Sequence, residues 1–164
     1  MRIPEPFIQS IIFHAENDYP KECCGFLLGS SDKNSLICEI VPCRNIQDDL
    51  HGQDPIAYPR SAKDGYFASP EDLLKVEKRA RSEGKKIRGI YHSHIDAGAY
   101  FSEEDKRLAV IDGIPAYPDV FYAVVSVSSG KAEGIKVFTW NSTKADFVES
   151  ASAKLPLKGS IAIE

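Results

Sequence analysis

Nowhere do the 164 residues contain an unbroken apolar run of the roughly 18 that a membrane-spanning helix needs, and no basic-then-apolar leader opens the chain. Neither a spanning helix nor a secretory signal is expected, and a cytoplasmic protein is. Clustered positive charge is missing too: 20 Lys and Arg stand against 24 Asp and Glu, a net charge of -4. With no polybasic footprint, neither nucleic acid nor a membrane is an expected partner. Cysteine is limited to Cys23, Cys24, Cys38 and Cys43, and an adjacent pair makes an awkward disulfide framework, so free thiols are expected. A zinc site made of those four is disfavoured, because vicinal cysteines are poor tetrahedral chelators. Internal repeats and low-complexity tracts are also absent.

What remains is an ordinary globular composition, 43% apolar and 27% charged, of a length that suits one domain with a real core. Residues 1–164 are read as that single domain, with a core of about 7–140 and a C-terminal tail at 141–164.

Phe7, Ile8, Ile11 and Ile12 recur at helical spacing and predict a helix from Pro4 to about Asn17. "ECCGFLLG" and "SLICEIVPC" read as two strands joined by a turn at "SSDKN". From Arg44 to Ala68 periodicity fades into Asp, Gln, Gly, Pro and His, which reads as a long surface loop or short irregular strands, serving as a lid or a substrate groove. Ser69 as N-cap, Pro70 at the first helical position and Gly84 as a stop mark a second helix. "IRGIYHSH" is then a strand, "IDAGAYF" a loop, and "SEEDKRLAVID" a third helix starting at Ser102. "VFYAVVSVSS" is a long β-branched strand, with "GIKVFTW" its hairpin partner across "SSGKAEG". The residues beyond Trp140 read either as one more strand or as a frayed end. The alternation permits an α/β domain, a mixed sheet flanked by helices.

Along a strand successive side chains alternate faces, so His92 and His94 point to one side and Ser93 to the other. Two imidazoles so placed can present nitrogen ligands to one Zn²⁺, which needs a third protein ligand and an open position to activate water. Asp105, in the first turn of the helix that follows a seven-residue loop, can be folded back to the histidine face. A carboxylate suits a hydrolytic site, since it holds the ion while leaving it Lewis-acidic. Yet Ser-x-x-acid is also the signature of a capping box, in which Ser102 and Asp105 merely close a helix end. His-x-His, equally, occurs as hydrogen-bonded strand residues. At this level both readings stand.

"HSHIDAGAYFSEED" resembles the JAMM (MPN-plus) metallopeptidase pattern of His-Ser-His, seven residues, Ser, two residues, Asp, and "PKECCGFLLG" is similar to that family's Glu-x-Cys-Gly stretch. The resemblance extends over roughly Phe7 to Trp140. It implies an MPN domain, cytidine deaminase-like, with a curved mixed sheet, and Zn²⁺ held by His92, His94 and Asp105. It further implies that Glu22 accepts a proton from the attacking water and passes one to the leaving amine, and that Ser102 stabilises the oxyanion. Without the resemblance, Glu22 reads as a solvated acid at a strand start. Cys24 falls on the same strand face as Glu22 by alternation and is expected to line the site. Ile95 departs from the proline that many relatives carry after the second histidine, which touches the shape of the loop and not the ligand set.

The chain looks most like the stand-alone prokaryotic branch, whose members act on the C-terminal Gly-Gly tail of ubiquitin-like sulfur-carrier proteins, some releasing cysteine. Such a carrier is therefore the implied partner and substrate. Tyr66, Phe67, Tyr100 and Phe101 are candidate walls of a glycine-wide channel, or packing residues. An exposed strand edge would allow a homodimer. Two rivals remain: a zinc hydrolase of a small-molecule amide, with residues 44–68 as its lid, and a catalytically silent scaffold.

Overall fold

The computed structural model describes residues 1–30 and 36–163. In chain order the elements are β1 (Arg2–Ile3), α1 (Glu5–Asp18), β2 (Cys24–Ser30), β3 (Ile37–Cys43), α2 (Gln47–Gln53), α3 (Pro70–Ser82), β4 (Lys85–Ile95), α4 (Glu103–Ala109), β5 (Val110–Ile111), β6 (Ile114–Pro115), β7 (Phe121–Ser128), β8 (Lys131–Asn141), β9 (Asp146–Lys154) and β10 (Ile161–Ala162). Six of the strands form one sheet in the order β3-β2-β4-β7-β8-β9. Only β4 and β7 run parallel within it, and the crossover that parallel neighbours require carries α4 and the small β5–β6 hairpin. The result is the mixed α/β architecture that the alternation of elements implied.

Alternation along the central strands sorts the core into two layers. Ala123, Val125 and Val127 of β7 pack with Ile8, Ile11 and Ala15 of α1, while Tyr122 and Val124 face Val76 and Ala80 of α3. The apolar stripe read in α1 is thus what docks it. α3 is closed at its N-terminus as its sequence predicts, with Ser69 Oγ accepting from the Asp72 amide at 3.3 Å. Ile90 of β4 belongs to the α3 layer and Tyr91 to the α1 layer, so His92 and His94 share the α3 side.

Three stretches differ from their sequence reading, and in a fourth the structure decides between two alternatives. Residues 44–68 contain α2, a helix that buries only Gln47 and so carries no apolar stripe to betray it. The segment is ordered by Asn45, whose Nδ2 donates to the carbonyls of Glu22 (2.9 Å) and Gly65 (3.1 Å), and whose Oδ1 accepts from the Gln47 and Phe67 amides at 3.0 Å each. The third helix stops at Ala109, because Asp112 and Gly113, with φ of 51° and 76°, turn the β5–β6 hairpin. The partner of β7 begins at Lys131 and not Gly134, directly after the Ser129–Gly130 turn. Beyond Trp140 the chain is strand: β9 borders the sheet through β8, with Phe147 buried, and β10 pairs with β1. The turn read at "SSDKN" falls mostly on residues 31–35, outside the described residues.

Gly89 of β4 sits where no side chain fits. A Cβ there would lie 2.5 Å from the Phe121 ring and 2.9 Å from Leu27 Cδ1. Gly89→Ala is expected to lower stability by roughly 1–3 kcal/mol through overpacking, read as a shifted denaturant midpoint; an unmoved midpoint would show that the ring yields freely.

Candidate metal centre and active site

β4 lies between β2 and β7 and ends at the histidines. His92 is registered opposite Cys24 on one side and Val124 on the other, and it is fully buried. Ser93, on the reverse face, ties the strand to the residue after Glu22: its Oγ accepts from the Cys23 amide at 2.8 Å, and its own amide donates to the Cys23 carbonyl at 3.1 Å. Glu22 is clamped from a second direction, since its amide donates to the Ala62 carbonyl at 2.7 Å. Sheet pairing and the irregular segment therefore fix this glutamate together. It lies two residues ahead of β2, not within it.

After Ile95 the chain turns at Asp96 (φ 50°), and the loop comes back to place α4 over the histidines. There the Nε2 atoms of His92 and His94 approach to 3.2 Å, and Asp105 offers Oδ1 to His92 Nε2 at 3.1 Å and Oδ2 to His94 Nε2 at 3.4 Å. His94 Nδ1 lies 3.1 Å from the Gly98 carbonyl, which can only accept, so the hydrogen sits on Nδ1 and Nε2 faces the triangle. The capping box is present as well: Ser102 Oγ accepts from the Asp105 amide (3.1 Å) and Asp105 Oδ2 from the Ser102 amide (2.7 Å). Capping and convergence on the histidines are thus one geometry, since the cap holds the carboxylate's orientation.

The electrostatics suit a cation. Burial would raise the pKa of Asp105, but the imidazoles of His92 and His94 and the hydrogen bond from Ser102 outweigh it and hold the group far below the usual carboxylate range. Burial would likewise lower that of His94, yet the bond to Asp105 and the charge of Glu22 raise it. Three buried ligand atoms from these residues lie within 4.8 Å of one another, and no other His, Cys, Asp and Glu group of that kind occurs among the described residues. The donors fit a divalent ion such as Zn²⁺, which takes imidazole nitrogen and carboxylate oxygen.

Glu22 is 6% exposed, which overturns the solvated-acid reading. Its burial, opposed by His94 and reinforced by Asp105, pushes its pKa up to about 8, so it can both take and release a proton near neutral pH. It lines, with Tyr66, His94, Tyr100, Ser102 and Asp105, a cavity of ≈ 120 Å³.

Tyr66 stacks on the His92 ring at 4.4 Å, and Tyr100 meets His94 edge-on at 4.7 Å. Of the four aromatics singled out in the sequence, these two wall the cavity. Phe101 instead packs among Tyr122, Phe138 and Phe147, and Phe67 meets Tyr58. Cys24 does not line the cavity: it lies on the α3 side, as the histidines do, but packs into the core of that layer with its thiol 3.7 Å from the Cys43 carbonyl. All four cysteines are free. Arg60 and Lys63, also on the cavity, went unnoticed in the sequence, where they are two charges in a polar stretch with no period to place them.

The chain matches the family model described as prokaryotic homologs of the JAB domain over residues 4–143. It is 31% identical to the tail tip assembly protein K of Escherichia phage N15 over 60% of this chain, a match that spans only 32% of that relative. A desampylase of Haloferax volcanii is 29% identical over 71% of this chain and 73% of its own length. A CysO-cysteine peptidase of Mycobacterium tuberculosis is 28% identical over 73% and 68% respectively. Among solved structures, a protein from Desulfitobacterium hafniense superposes with a TM-score of 0.63 at 23% identity, covering 90% of this chain and 87% of its own. A JAB1/MPN domain protein from Archaeoglobus fulgidus gives 0.50 at 19%, covering 91% and 95%.

Proposed function

The chain belongs to the family of prokaryotic homologs of the JAB domain, and from that premise we propose that it is a zinc-dependent peptidase cleaving the peptide or isopeptide bond after the C-terminal Gly-Gly tail of a ubiquitin-like or sulfur-carrier protein. One observation carries the reading: the ligand atoms of His92, His94 and Asp105 converge beside a cavity that Glu22 also faces. Two imidazoles and a single carboxylate are the donors of an open, hydrolytic site and not of a closed structural one.

Zinc, when bound, supplies Lewis acidity that polarises the scissile carbonyl and lowers the pKa of water to about 7. Glu22 takes the proton of the attacking water and returns one to the departing nitrogen, a shuttle for which its raised proton affinity suits it. Ser102 Oγ already accepts from the Asp105 amide, which leaves its hydroxyl hydrogen to donate to the developing oxyanion. Tyr66 and Tyr100 narrow the approach and favour glycine beside the scissile bond. The names of the desampylase and the CysO-cysteine peptidase support a peptidase. A cytoplasmic setting accords with four free thiols, and no helix among the described residues is long and apolar enough to cross a membrane.

Elemental analysis tests the metal directly. The purified protein is expected to carry stoichiometric zinc, and the His92→Ala/His94→Ala variant none. Zinc retained by that variant would place the ion elsewhere and end this reading of the site.

A further inference from the structure

Glu22 precedes β2, whose ladder with β4 begins only at Cys24, so sheet pairing does not reach its main chain. The irregular segment holds it instead. The Glu22 amide donates to the Ala62 carbonyl at 2.7 Å, and the Glu22 carbonyl accepts from Asn45 Nδ2 at 2.9 Å. The second hydrogen of that Nδ2 goes to the Gly65 carbonyl at 3.1 Å, while Oδ1 accepts from the Gln47 and Phe67 amides at 3.0 Å each.

Both donors and both lone pairs of the Asn45 side chain are thus in use. The partners also fix which end is which, because a carbonyl can only accept and an amide N–H can only donate. A fully satisfied side-chain amide of this kind is a rigid link. What it links is the glutamate and one wall of the cavity: Gly65 lines that cavity, and with Phe67 it brackets Tyr66, which stacks on His92 at 4.4 Å. Asn45 itself does not line the cavity, so it meets no substrate there.

A general base works only within hydrogen-bond reach of the proton it takes, and a misplacement of about 1 Å costs on the order of a hundredfold in rate. A glutamate side chain on a loosely held backbone does not meet that tolerance. We infer that Asn45 is a positioning residue for the hydrolysis: by bonding the Glu22 and Gly65 carbonyls together, it holds the Glu22 carboxylate at the place where the attacking water must be deprotonated. The inference rests on the peptidase reading, and it requires the two donors of an amide. Aspartate, equal in shape, has none to give.

The test uses carrier proteins whose Gly-Gly tail is extended through a peptide or an isopeptide bond. Asn45→Ala is expected to lower kcat by about ten- to a hundredfold, with KM and zinc content close to native. In a Glu22→Gln background the same substitution should change the residual rate by less than about twofold, since the group it positions is gone. Gln47→Ala is the control: it removes the bond from Nε2 to the Arg60 carbonyl at 2.9 Å in the same segment, and should cost stability while keeping kcat. Asn45→Asp keeps the two accepted bonds and loses the two donated ones, so it reads the same effect should the alanine variant not fold. Hydrogen exchange gives a readout apart from turnover, in which the Glu22 amide loses protection in Asn45→Ala and not in Gln47→Ala.

Native kcat in the Asn45 variants, a loss carried by KM, equal losses in Gln47→Ala, or a full further loss in the Glu22→Gln background overturns the positioning role and leaves the peptidase reading standing. So does unfolding of both Asn45 variants, which would make Asn45 a residue of the fold alone. Cleavage of neither substrate by the zinc-loaded native protein overturns both.

Discussion

Glu22→Gln is expected to bind zinc as the native protein does and to lose turnover by roughly two to four orders of magnitude, the usual contribution of a positioned general base. The amide keeps the volume of the carboxyl group. The backbone at this position is held by the Glu22 amide donating to the Ala62 carbonyl and the Glu22 carbonyl accepting from the Asn45 side chain, which the substitution does not touch. What disappears is only the capacity to accept a proton. Near-native turnover in this variant would reject Glu22 as the base, and loss of zinc would make it a ligand.

The same substitution has a signature in the metal-free protein. Burial pushes the Glu22 pKa up to about 8, so between the ordinary carboxylate range and that value the folded chain holds a proton that the unfolded chain has released. Stability then falls as pH rises through that window. Gln cannot ionise, so the unfolding midpoint of metal-free Glu22→Gln should vary less with pH across it. A slope equal to that of the native chain would mean that the carboxylate is better solvated than its burial implies.

Asp105→Ala is expected to weaken zinc binding by more than about a hundredfold, beyond the 10- to 100-fold that loss of an outer-shell partner costs. Competition with a chelator of known affinity would read this. Asp105 also closes the helix end, so its removal should cost about 1 kcal/mol of stability in addition. Ser102→Ala separates the two roles, for it breaks the hydrogen bond accepted from the Asp105 amide and leaves the carboxylate in place. That variant should show the stability loss while keeping its zinc. If Asp105→Ala kept native affinity and shared only the stability loss, Asp105 would be a capping residue alone.

Much of this site is local, and local features are legible in a chain. His92 and His94 share a face because strand alternation requires it, and Ser102 and Asp105 are paired because a helix start leaves amides to cap. β4 is recognisable by its apolar run, α3 by its cap and stop, and α1 by its stripe. Where no periodicity exists there was nothing to read. α2 buries only Gln47, and its segment is held by the side chain of Asn45, an interaction that depends on neighbours about twenty residues away along the chain. Arg60 and Lys63 reach the cavity through that same segment. Cys24 shows the converse limit, since alternation gives the side it faces and not whether that side is cavity or packed core at its position.

The amino-acid sequence by itself therefore determined the metal-ligand candidates and the helix cap, because each depends on spacings within a few residues. The family resemblance supplied Glu22. Only the tertiary structure decided that Glu22 is buried beside those ligands, that Tyr66 and Tyr100 wall the cavity while Phe101 enters the core, and that two cations stand beside the base. Those are facts of burial and proximity between segments remote in the chain, and both exist only once the sheet is paired and the layers are packed.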